Sequence, residues 1–190
     1  DISIDELKDQ GYKAFFLGIG AHKGLKLRIP GEDDFEGFID AVQFLRTVNL
    51  GEKKAPGRKV CVIGAGNSAV DAARTSLRLG AEEVHIVYRR MREQMPANPA
   101  EVDAADEEGI VIDLLTSPVR ILGKDGRVVG MECIRNELGE PDKSGRRRPV
   151  PIAGSEFTLP CDTLLPAIGQ AVSSSFAGLA VDHRGSIRVD

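Results

Sequence analysis

The residues in this sequence whose spacing could do chemistry form a glycine turn. Gly64-Ala65-Gly66-Asn67-Ser68-Ala69 reads G-x-G-x-x-A, directly after the apolar run Val60, Val62 and Ile63 and directly before a helical pattern from about Ser68 to Leu79. In a strand-turn-helix of this kind Gly64 allows the tight turn, Gly66 lets a pyrophosphate approach the backbone, and Ala69 is small enough for the helix to pack on the strand. The helix start adds unpaired N–H groups and the positive end of its dipole, both suited to phosphate oxygens. The chemistry implied is the holding of a dinucleotide.

A second strand, Val84 to Tyr88, ends where an Asp or Glu would hold the ribose hydroxyls of NAD. Arg89 and Arg90 stand there instead, with Arg92 just beyond. An acid would repel a 2′-phosphate, whereas guanidinium groups bind it through charge-assisted hydrogen bonds, so the turn prefers NADP. The other reading of these arginines is a solvated basic edge. Cys61, Cys133 and Cys161 are odd in number, widely spaced and set in apolar surroundings, which marks them as reduced core residues. His22, His85 and His183 have no second ligand at metal spacing, which argues against a zinc site.

The elements that must position the turn can be read from the surrounding pattern. Ser3 and Glu6 fit a capping box for a short helix to about Gln10, closed by Gly11. Tyr12 to Leu17 has the pattern of a buried strand, and Gly18 to Asp34 that of a loop. Phe38, Val42, Leu45 and Val48 mark an amphipathic helix ending near Asn49 and Gly51, followed by a polar linker to Arg58. Beyond the second strand come a polar helix, Pro99 to Glu108, and a third strand, Ile110 to Leu115. Val119 to Leu122 and Val128 to Ile134 form a hairpin turned by Asp125 and Gly126. Leu138 to Ser155 reads as a long polar loop containing Arg146, Arg147 and Arg148, and Phe157 to Leu159 and Thr163 to Leu165 as the last core strands.

Composition narrows the classes of function. The chain has 190 residues, 28% charged and 42% hydrophobic, with 29 acids against 25 bases. No basic surplus favours nucleic acid, and the longest apolar stretch, Ala14 to Ala21, is far too short for a membrane helix. The expectation is a cytoplasmic protein without nucleic-acid or membrane partners. The chain starts at Asp1 and stops after the strand-like run Ser186 to Val189, so we expect a segment of a longer protein.

The run Gly64 to Arg90, continued by Met95-Pro96-Ala97 and Glu108-Gly109, resembles the NADPH-binding domain of the small (beta) subunit of glutamate synthase. So do Leu138 to Asp142, Ser144 to Pro151, Gly154-Ser155-Glu156 and Ala167-Ile168-Gly169-Gln170, so the resemblance covers nearly the whole chain. It implies a Rossmann-like FAD/NAD(P)-binding three-layer α/β domain with a small β-meander, nested in an FAD domain. On that basis residues 1–30 belong to the FAD domain and a crossing segment, 31–170 to the NADPH domain, and 171–190 to the return. Leu17 to Ala21 and Ala167 to Gly169 would be the two crossings.

Carried over by position, Ala65, Gly66, Asn67 and Ser68 would line the pyrophosphate and Arg89 and Arg90 the 2′-phosphate. Ala167, Ile168 and Gly169 would lie on the nicotinamide side, and Asp71 near the carboxamide, unless it is only an exposed helix acid. No side chain need act as acid, base or nucleophile, because hydride transfer requires mainly alignment of two rings. The FAD fingerprint and a C-x-x-C dithiol are missing, so FAD is expected in the full-length parent and not in this segment, which alone should be inactive. Electrons would leave through a large glutamate synthase subunit, another electron-accepting subunit or an iron-sulfur chain. The alternatives are a ferredoxin:NADP oxidoreductase-type subunit, or a non-catalytic interaction domain docking a partner through Arg146 to Arg148.

Overall fold

The fold is given by a computed structural model, which describes residues 2–18, 20–21, 23–142, 145–172, 180–182 and 186–188. In chain order the elements are α1 (Ile4–Asp9), β1 (Lys23–Gly24), α2 (Ala41–Asn49), β2 (Lys59–Ile63), α3 (Asn67–Arg78) and β3 (Glu83–Val87). They continue with α4 (Pro99–Glu107), β4 (Val111–Asp113), β5 (Thr116–Lys124), β6 (Arg127–Pro141), β7 (Arg147–Pro151), β8 (Phe157–Leu159), β9 (Thr163–Pro166) and β10 (Gln170–Ala171).

The centre is an all-parallel sheet in the order β4-β3-β2-β9. Alternation along β2 divides the core in two: Val60 and Val62 join the cluster formed with α2, α3 and α4, while Cys61 and Ile63 join the cluster on the opposite face. That second cluster, with Val87, Ile121, Val128, Met131 and Leu164, packs the sheet against the antiparallel meander of β5, β6 and β8. The result is three layers, helices on parallel sheet on meander. Asp125 and Gly126, at φ 52° and 77°, make the two-residue turn between β5 and β6. Cys61, Cys133 and Cys161 are buried free thiols in the meander-side cluster, as their setting predicts.

Two polar clamps tie neighbouring elements. His85 of β3 donates through Nδ1 to Asp113 Oδ2 at 2.6 Å and through Nε2 to Glu83 Oε1 at 3.0 Å. Ionised carboxylates can only accept, so the pair favours the doubly protonated ring, and the Asp113 hydrogen bond holds the His85 pKa above its ordinary value. On the helical side, Glu108 receives Arg74 at 2.7 Å and Arg78 from α3, and these hydrogen bonds push its carboxyl down to about 2.

The short first helix carries its capping box, with Glu6 N donating to Ser3 Oγ and Ser3 N to Glu6 Oε2. Several expectations differ from the structure: Phe38 lies before α2 and bridges Leu164 instead of standing on the helix. Tyr12 to Leu17 forms no strand among the described residues, and Phe16 is 97% exposed. Apolar alternation gives a strand its faces, but burial needs neighbours to pair and cover it. The segment Leu138 to Ser155 is also not simply a loop, because β6 runs on to Pro141 and returns as β7, with Glu137 opposite Val150 and Leu138 opposite Pro149. Prolines 141, 149 and 151 hid this hairpin; a two-stranded ribbon has outward edges where a missing N–H is tolerated. The third strand stops at Asp113, since Leu115 takes φ 50° and sends the chain into β5. Of the final run Ser186 to Val189, Ile187 bridges Val181, whereas Val189 lies outside the described residues, as do Ile19 of the first crossing and Ser144.

Candidate functional site

A cavity of about 740 Å³ lies along the carboxyl ends of the parallel strands. The strand order sets its layout: the turn after β2 is central, the turn after β3 stands on one side and the turn after β9 on the other. Crevices at the carboxyl edge of such sheets are where this architecture accepts ligands.

The central turn is fixed from three directions. Gly64 N donates to Val87 O at 3.0 Å, Ala97 N to Ala65 O at 3.1 Å, and Asn98 N to the Asn67 side chain at 2.9 Å. Asn98 is itself the N-cap of α4, so Met95-Pro96-Ala97 is strapped to the glycine turn and Pro96 lines the cavity. Gly64 has φ +127°, and a Cβ there would come within 2.4 Å of Ala167 O, so the turn after β9 leans on the turn after β2. Gly66 is the N-cap of α3 and carries no side-chain cap. A Cβ on Gly66 would meet nothing within 4 Å. The first turn of α3 therefore opens its N–H groups onto a clear space that a phosphate fits.

On the β9 side, Ala167, Ile168 and Gly169 line the cavity, and Ala167 N donates to Ile63 O at 2.8 Å. Leu25 N donates to Gly169 O at 3.0 Å just where β1 pairs antiparallel with β10, so two separate stretches of chain pass this end side by side. Asp40, whose carboxylate accepts from Gln43 N to cap α2, is the acidic residue of the lining.

The three arginines after β3 are dispersed. Arg89 is exposed, lines the cavity and has no ion pair among the described residues. Arg90 also lines it but is 4% exposed, its Nε donating to Arg147 O at 2.8 Å and its Nη2 meeting Asp142 at 3.3 Å. Arg92 lies outside the lining and pairs with Asp103 and Asp106 of α4 at 2.9 and 3.1 Å. Asp71 is exposed on α3 and outside the lining. The structure thus brings Gly64 to Ser68, Arg89, Arg90 and Ala167 to Gly169 to one cavity, and leaves Asp71 and Arg92 off it.

Sequence reading missed Gly24, Asp40, Thr116, Ser117, Pro118 and Arg146 as parts of the wall. Only Arg146 had a signal, as part of a basic run; the others arrive through long-range pairing. Thr116 is fully buried and receives Arg135 Nη1 at 2.9 Å, and Ser117 pairs with Asn136, so the base of the meander closes the β3 side.

A parallel sheet with a glycine turn and an uncapped helix start opening on a cavity defines a dinucleotide-binding α/β protein of the Rossmann type. The chain belongs to the pyridine nucleotide-disulphide oxidoreductase family, which matches residues 3–190. Its relatives are subunits of NADP-dependent oxidoreductases. It is 46% identical over 194 residues to the NADP(+)-dependent formate dehydrogenase subunit beta of Moorella thermoacetica, covering 100% of this chain and 27% of that protein. With the NADPH-Fe(3+) oxidoreductase subunit beta of Geobacter sulfurreducens it shares 49% identity over 93% of this chain and 26% of that protein. The glutamate synthase [NADPH] small chain of Halomonas elongata is 36% identical over 99% of this chain and 42% of its own length. This chain therefore spans between about a quarter and two fifths of these relatives. In fold it is similar to FprA of Mycobacterium tuberculosis, with TM-score 0.68, 24% identity, and coverage of 94% of this chain and 54% of that one. No described helix is long and apolar enough to cross a membrane.

Proposed function

We propose that this chain is the NADPH-binding part of a flavoprotein oxidoreductase, holding NADPH so that its hydride reaches an FAD carried by the rest of the parent protein. One observation carries the reading: the glycine turn and the uncapped start of α3 open onto a cavity that has Arg89 on one side and Ala167 to Gly169 on the other. The N–H groups after Gly66 would receive the pyrophosphate, Arg89 the 2′-phosphate, and the turn after β9 would wall the nicotinamide. The bound cofactors would supply the redox chemistry; the protein's part is orientation. Asp71 and Arg92 have no part in this arrangement.

Residues 31–170 would form this NADPH domain, with 1–30 and 171–190 leading to the FAD domain. The exposed run Tyr12, Phe15 and Phe16 supports such a partner, being apolar surface of the kind a neighbouring domain covers. The glutamate synthase small subunit is one parent that fits. The formate dehydrogenase and Fe(3+) oxidoreductase subunits match at higher identity, so the final electron acceptor would be set by the parent's remaining length. Calorimetric titration of the chain tests the reading. NADPH should bind at least about tenfold more tightly than NADH, one charge-assisted contact being worth about 1.5 to 3 kcal/mol. Equal affinities, or no binding of either, would overturn it.

A further inference from the structure

The hairpin formed by the end of β6 and by β7 reaches the cavity through Arg146, and its anchoring involves the arginine that the sequence assigned to phosphate. Arg90 grips both of its arms: Nε donates to Arg147 O on the returning arm, and Nη2 meets Asp142 on the outgoing one. Asp142 and Arg146 close the hairpin on each other, Asp142 N donating to Arg146 O at 2.7 Å and Arg146 N to Asp142 Oδ1 at 3.3 Å. At the base, Asn136 N donates to Leu115 O at 2.7 Å and Leu115 N to Arg90 O at 3.1 Å. Arg146, exposed at the head of β7, thereby comes to line the same cavity as Arg89.

We infer that selectivity for a 2′-phosphate is set by two elements, with Arg89 from the turn after β3 and Arg146 from the hairpin as the phosphate-contacting pair and Arg90 as the positioning residue that holds the hairpin in place. The inference rests on the NADPH reading above. Burial explains the division of labour. A guanidinium that is 4% exposed and committed through Nε to Arg147 O and through Nη2 to Asp142 would have to give up both contacts to turn outward, whereas Arg89 and Arg146 sit at the surface. Arg89, Arg90 and Arg146 all line this side of the cavity, and guanidinium groups gathered there suit a phosphate dianion.

The test uses 2′,5′-ADP and 5′-AMP as probes, because they differ only in the 2′-phosphate and need neither flavin nor nicotinamide. By calorimetry on the 190-residue chain, Arg146→Ala should weaken 2′,5′-ADP about tenfold and leave 5′-AMP unchanged, while Arg146→Lys recovers part of the loss. Arg148→Ala, a neighbouring hairpin charge outside the lining, should change neither probe. Arg90→Met should also weaken 2′,5′-ADP and should speed hydrogen exchange across β7. Combined with Arg146→Ala it should add little, as one residue acts through the other. If wild type prefers 2′,5′-ADP but Arg146→Ala keeps that preference in full, the two-element site is overturned and the NADPH reading stands. If wild type does not distinguish the probes, both fall. Since Arg146 is exposed, its variant remains informative even where Arg90→Met fails to fold.

Discussion

Gly64 and Gly66 stand one residue apart under opposite constraints. Gly64 lies in the left-handed half of the backbone map with Ala167 O in the place of a side chain, so its demand for glycine is steric and internal. Gly66 has φ −84° and ψ 175°, which any residue adopts, and faces open space. On the proposed reading, its demand for glycine comes from the ligand alone. Gly66→Val should therefore fold with an unchanged circular dichroism spectrum and a melting temperature within a few degrees of wild type, yet lose NADPH binding by calorimetry. Retained affinity would show that the nucleotide sits elsewhere. The motif made both glycines legible, but the reason for Gly64 was out of reach, because Ala167 comes from a strand distant in sequence. The arginines show the same limit in reverse: Arg89, Arg90 and Arg92 look equivalent along the chain, and only burial and partners separate them.

Elements with a strong local period were the legible ones. The βαβ core, the Asp125-Gly126 hairpin and the Ser3 helix cap follow from spacing, turn chemistry and capping that act over a few residues. The hairpin of β6 and β7 and the uncovered run Tyr12 to Leu17 depended on neighbours that local pattern cannot supply. The clamps between elements make stability depend on pH in both directions. Glu108, with its pKa pushed down to about 2 from 4.5, stabilises the α3–α4 contact above pH 4.5, and that contribution is lost as pH falls towards 2. His85, with its pKa raised above 6.5, stabilises the β3–β4 pair fully below pH 6.5, and loses that effect as pH rises through the raised value. Both clamps are complete only between pH 4.5 and 6.5. Thermal melts should show His85→Gln costing more at pH 5.5 than at pH 9, and Glu108→Gln costing more at pH 5.5 than at pH 2.5. A pH-independent cost for either variant would remove that clamp from the account.

The molecule as a whole presents a cavity that is walled by its own turns and an apolar segment, Tyr12 to Leu17, that is not covered by them. On the proposed reading the chain should purify colourless, bind NADPH with modest affinity and show no NADPH oxidation, since the flavin half of the nicotinamide site would belong to the rest of the parent. Diaphorase activity by this chain alone would contradict that division, and absorbance together with a turnover assay reads both. The pairing of β1 with β10 has one more consequence. Lys23 lies opposite Ala171, so the stretch between them begins and ends about 5 Å apart, as paired strands must. A body whose entrance and exit coincide can be lodged in a host chain without forcing the host's own strands apart, and its order can be cut and rejoined elsewhere with a linker of only a few residues. On the proposed reading, the two-stranded ribbon would be a splice point, through which one folded cassette could be moved as a unit from one host chain to another.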